Sequence, residues 1–138
     1  IRYSQNVDSV CIRIMKLLII LSILFPLSAL AAPWKDTNPF VISYITNLAI
    51  EYQVNPHTAL ALVWCESRMK MGAVGTLSRV GKDRGGLQVN DFYHGKRAKE
   101  MGFDLTRSED SLEYGMWLFA EQGFRPWLSS RKSWQKFL

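Results

Sequence analysis

Residues 59–90 read ALALVWCESRMKMGAVGTLSRVGKDRGGLQVN, and the fold follows from how this stretch begins and ends. Just upstream, Asn55 can cap a helix that carries Pro56 in its first turn, where a missing N–H costs nothing. From there Ala59, Leu62, Val63 and Glu66 fall on one stripe at helical spacing. A carboxyl therefore shares the face that must be buried. Burial strips hydration from the charged form, so the pKa of such a group rises and it can hold a proton near neutral pH. That is what a general acid needs. The plainer alternative is a helix-end glutamate that pairs with Arg68 or Lys70 or faces water, and structural ion pairs of that kind are common. The return of the chain as Gly86-Leu87-Gln88-Val89-Asn90 tips the reading toward chemistry.

The pair Glu66-Ser67, followed after about twenty residues by that glycine-led segment, resembles the signature of the lysozyme-like lytic transglycosylases. In that family a helix ends in Glu-Ser and a Gly-Leu-x-Gln-x-Asn type segment follows. The resemblance spans about residues 39–134. It implies a mainly α fold, of the α+β lysozyme-like kind, with a small Gly-rich loop or β lobe over the end of the catalytic helix. It implies that Glu66 is the sole catalytic acid/base, that Ser67 orients it or the sugar, and that Gln88 and Asn90 line the cleft. The activity implied is lytic transglycosylase cleavage of the MurNAc–GlcNAc β-1,4 bond of peptidoglycan, leaving 1,6-anhydro ends without cofactor or metal. Small exported enzymes of this kind often open the wall for a secretion apparatus, pilus or phage, so such an assembly is a candidate partner. The family usually carries a Tyr-Asn pair late in the chain; here Tyr114 is followed by Gly115, which points to a short, specialised branch.

A length of 138 residues allows one domain. Residues 1–14 lack an initiating Met and a clear period, and they read as an upstream segment outside the fold. Met15-Lys16, the apolar run from Leu17 to Leu27 and the closing Ala29-Leu30-Ala31 form a secretory signal peptide over residues 15–31. A membrane anchor wants about 20 apolar residues, and this run is shorter and holds Pro26. The expected mature domain is therefore residues 32–138, periplasmic or secreted and monomeric. It carries 14 Lys+Arg against 11 Asp+Glu, a net charge of +3. Its basic residues are either a solvated face or a means of attracting an anionic polymer, and export favours cell wall over nucleic acid.

Within that domain Cys65 stands alone, so no intrachain disulfide is expected, and an apolar helix makes it a small buried hydrophobe. His57 lies eight residues upstream, about 12 Å along the helix axis, too far to activate it. Two histidines without clustered spacing argue against a metal site.

Asn38-Pro39 opens a helix ahead of the one carrying Glu66, with Val41, Tyr44, Ile45, Leu48, Ala49 and Tyr52 recurring at three and four. Five of the nine glycines then fall between Gly72 and Gly86, a density that predicts a loop or hairpin, with Val74 and residues 77–80 as short strands. A third helix runs from Asp91 toward Met101 and stops at Gly102. Thr106-x-x-Glu109 reads as a capping box for a fourth, which Gly123 ends. A short helix follows near residues 130–137. Most aromatics of the second half belong in the core. Tyr93 and Trp127 sit in or beside connections and are the candidates for sugar contact.

A hydrolytic lysozyme would need a second carboxylate, and Asp83 is the candidate, the sole acid between Gly72 and Gly86. A Gly-rich loop is a poor scaffold for it, so the expectation is non-hydrolytic cleavage by Glu66 alone. A secreted, non-catalytic wall-binding protein is the remaining alternative.

Overall fold

The structure, a computed structural model, describes residues 32–76 and 78–138. The upstream segment 1–14, the signal peptide 15–31 and Leu77 lie outside the described residues. The described chain is mainly helical. Helix α1 (Pro39–Glu51) and helix α2 (Pro56–Ser67) lead into strands β1 (Val74–Gly75), β2 (Asp83–Arg84) and β3 (Val89–Asn90). Helix α3 (Asp91–Glu100) and helix α4 (Ser108–Gln122) follow, and a 3-10 segment over Arg125–Ser130 leads into the short α5 (Arg131–Trp134). No helix among the described residues is long and apolar enough to cross a membrane.

Both N-terminal helices begin where the Asn-Pro pairs predict. Asn38 Oδ1 accepts from the Phe40 amide at 2.9 Å, and Asn55 Oδ1 accepts from the Thr58 amide at 3.2 Å. Helix α1 buries Ile45, Leu48 and Ala49, whereas Tyr44 and Tyr52 stay partly exposed. Helix α2 buries Ala59, Leu60, Ala61, Leu62 and Val63, a continuous run rather than a stripe, because neighbours cover it on several sides. Fully burying a side chain such as Leu62 contributes about 1.5–3 kcal/mol.

Two expected features change. The capping box does not form: Arg107 is the N-cap of α4 without a side-chain bond. Thr106 turns back instead, its hydroxyl donating to Asp104 Oδ1 at 2.6 Å. Residues 78–80 form no strand, and the pairing partners lie later, with Val74 opposite Arg84 and Asp83 opposite Asn90 in an antiparallel order β1-β2-β3. Helix α3 starts at Asp91 as expected, with Asn90 as its cap, Oδ1 accepting from the amides of Phe92 and Tyr93.

The Gly-rich segment packs tightly on α4. A Cβ on Gly115 would stand 2.8 Å from Leu87 Cδ1 and 3.0 Å from Leu87 Cβ, so glycine is what lets the helix meet the Leu87 and Val89 side chains this closely. Trp127 completes this layer from the other side. It is only 5% exposed, and its indole N–H donates to the Leu87 carbonyl at 2.8 Å.

Candidate active site

Helix α2 stops just after Glu66 because Arg68 and Met69 both take left-handed backbone angles, with φ of 54° and 63°. The carboxyl is thus left half-buried on the last helical turn. Burial pushes the Glu66 pKa above the ordinary glutamate value of 4.5; a hydrogen bond from Ser130 opposes that rise, and the charge of Asp83 adds to it. The Ser130 hydroxyl donates to Glu66 Oε1 from the end of the 3-10 segment, 64 positions away in sequence.

Asp83 lies in a strand rather than in a loop, contrary to the expectation from glycine content. It forms β2, paired on one side with Gly75 and on the other with Asn90. Asn90 Nδ2 donates to Asp83 Oδ1 at 2.9 Å, and Ser78 Oγ and the Val80 carbonyl ring the same nitrogen at 2.9 and 3.0 Å. Its two hydrogens are shared among three acceptors. Behind Asp83, a Cβ on Gly75 would lie 2.7 Å from Gln88 Oε1 and 3.1 Å from Asp83 Cβ. The missing side chain at position 75 is what lets the amide and the carboxylate crowd together.

The remaining expected site residues divide. Gln88 is close to Asp83, but its Nε2 is committed to the carbonyls of Gly85 (2.8 Å) and Ala73 (3.3 Å), leaving Oε1 toward Gly75. Asn90 holds Asp83 and caps α3, so its amide is committed to those partners. Ser67 does not orient Glu66: it is buried, and its hydroxyl donates to the Val63 carbonyl at 3.1 Å. Trp127 is a core residue and cannot stack on a sugar. Tyr93 is 68% exposed beside Phe92, and it borders a surface cavity of about 420 Å³ with His94, Arg97 and Trp117. Ser130 was not among the sequence candidates, and no local pattern marks it.

Cys65 is half-buried with its thiol pKa raised by that burial, and His57 is occupied elsewhere, its Nε2 2.7 Å from the Phe137 carbonyl. Among the described residues no group of three or more His, Cys, Asp or Glu side chains could hold a metal ion. What the cluster offers chemically is a desolvated carboxyl that holds its proton more tightly than a free glutamate, a second carboxylate placed by a sheet, and a hydroxyl on the first. Compared with family models, curated proteins and solved structures, the chain matches none of them.

Proposed function

We propose that the chain is a peptidoglycan-cleaving enzyme of lysozyme-like architecture in which Glu66 is the general acid. The observation that carries this reading is the pairing of a half-buried carboxyl of raised pKa with Asp83, held within reach of its charge by β2 and Asn90. Two carboxyl groups in different surroundings are the arrangement glycoside cleavage uses, one protonated and one ionised. The Glu66 proton passes to the glycosidic oxygen as the C1–O bond breaks, and the electron pair leaves with that oxygen. An oxocarbenium-like centre develops at C1. Glu66, now ionised, takes a proton from the group that attacks C1 and is restored.

The identity of that group separates the two forms of the reading. Asp83 fixed in a strand favours water as the final acceptor, with Asp83 stabilising or bonding to C1 in between. The sequence expectation of transglycosylation by Glu66 alone draws on the family resemblance and on a loosely held Asp83, and the pairing of β2 weakens the second ground. The basic mature charge suits an anionic wall, and the leader read in residues 15–31 would deliver the domain to the periplasm as a monomer. The resemblance still allows a wall-opening role beside a secretion, pilus or phage assembly.

Mass analysis of products from purified peptidoglycan tests this. Free reducing ends, together with an Asp83→Asn variant nearly as inactive as Glu66→Gln, are expected. Products with 1,6-anhydro ends and an active Asp83→Asn variant would make it a lytic transglycosylase. Intact glycan after long incubation would leave a wall-binding protein.

A further inference from the structure

The Ser130 hydroxyl has one hydrogen and two acceptors within reach. It is placed to donate to Glu66 Oε1 and also to the Trp127 carbonyl, which lies 3.0 Å away. It cannot do both at once. A protonated Glu66, its proton on the other carboxyl oxygen and free for the glycosidic oxygen, is the weaker acceptor at Oε1, so the Ser130 hydrogen turns to the Trp127 carbonyl. An ionised Glu66 can only accept, so the Ser130 O–H must turn toward it. The preferred arrangement therefore changes with the protonation state of the acid.

The turn leaves nothing orphaned. When Ser130 swings away, the Trp127 carbonyl keeps the indole N–H of Trp134 at 3.0 Å. A buried acceptor stripped of every partner would cost about 1–3 kcal/mol and would oppose the swing; here that cost is absent. The pivot is also fixed, because Trp127 is anchored on Leu87 and Trp134 stacks on Phe124 with ring centroids 3.9 Å apart.

We propose that Ser130 is the positioning residue of this site, a hydroxyl rotor that donates to Trp127 while Glu66 holds its proton and to the Glu66 carboxylate once the proton has left. This rests on Glu66 being the acid. The Ser130 proton never leaves its oxygen; only its direction changes as the Glu66 proton moves to the glycosidic oxygen. Because the hydrogen bond is stronger to the ionised form, it helps most as charge develops, which lowers the barrier rather than tightening binding. Among charged groups on the elements around Glu66, Asp83 of β2 is the one that acts on it, and its charge has the opposite effect to Ser130. Arg68 at the end of α2 and Lys136 near the C-terminus bear on neighbouring Cys65.

The test combines two readouts on the full chain. Glutamate carboxyl carbons are labelled, and the Glu66 resonance is assigned by its absence from Glu66→Gln. Its titration is followed in the wild type, Ser130→Ala and Ser130→Thr, alongside kcat and KM on purified peptidoglycan across pH. In Ser130→Ala the Glu66 titration is expected to move to higher pH, the alkaline limb of kcat to move with it, and kcat to fall about ten-fold at unchanged KM. Ser130→Thr keeps the hydroxyl and is expected to restore both. An unchanged Glu66 titration in Ser130→Ala, or a threonine variant that behaves like alanine, would overturn the proposal. A moved titration with no glycan cleavage by any variant, the wild type included, would uphold the contact and overturn the glycan-cleaving reading.

Discussion

Asn90 holds the carboxylate of Asp83 with a 2.9 Å hydrogen bond across the pairing of β2 and β3, while the other end of its amide caps α3. One side chain thus ties the orientation of the candidate second carboxylate to the start of a helix. Asn90→Ser can still accept from the N-terminal amides of α3 but is too short to reach Asp83. It should keep nearly wild-type thermal stability and lose activity by about ten-fold. Asn90→Ala should lose the cap as well, at about 1 kcal/mol. Equal activity in the serine variant and the wild type would free Asp83 from this dependence.

Gly75 tests the same geometry from behind. A Cβ there would meet Gln88 Oε1 at 2.7 Å and Asp83 Cβ at 3.1 Å. Gly75→Ala should therefore push both side chains aside and reduce turnover by at least ten-fold, with a stability cost of about 1–3 kcal/mol, as overpacking usually brings. Comparison of melting and turnover for this one variant checks it; unchanged turnover would show that the crowding has no catalytic consequence.

Trp127 separates core from cleft. Trp127→Phe removes the indole donor from the buried Leu87 carbonyl and should cost about 1–3 kcal/mol. Because the ring is buried, KM for glycan should not change in the folded fraction. A rise in KM without a loss of stability would return Trp127 to the sugar-binding role that its position in sequence suggested.

The parts of this arrangement that were legible in the sequence are those whose causes are local. Asn38-Pro39 and Asn55-Pro56 mark helix starts because the cap reaches only two or three residues ahead. Glu66 stands out because helical spacing puts it on an apolar face. The capping box at Thr106 failed because Asp104, two residues back, captures both the hydroxyl and the amide of Thr106. Strands of two residues have no period to read, so β2 inside the glycine-rich run and β3 just after it were hidden, and with them the placement of Asp83 in a sheet. The sequence motif places Gln88 and Asn90 along the cleft, yet in the fold their amides serve nearby backbone and Asp83. Ser130 could not be found, since only the fold brings it to Glu66.

The raised pKa of Glu66 sets a pH dependence of stability. A group whose folded pKa lies above its unfolded value of about 4.5 contributes stability that is fully present below that value. This contribution is lost as pH rises through the folded pKa. Glu66→Gln cannot ionise and avoids the loss. Its melting temperature should match the wild type under acid conditions and exceed it at neutral pH. Melting curves at several pH values check this, and a variant less stable than the wild type at neutral pH would contradict a desolvated carboxyl.

The most direct measurement of the central claim is the rate of soluble muropeptide release from purified peptidoglycan by the wild type and by folded Glu66→Gln. Positioned proton transfer contributes on the order of 10²–10⁴ in rate, and the amide cannot supply a proton. Release by the wild type with a loss of at least a hundred-fold in Glu66→Gln is the expected result. Comparable release by both proteins would contradict the assignment of Glu66 as the acid, and no release by the folded wild type would contradict the cleavage itself.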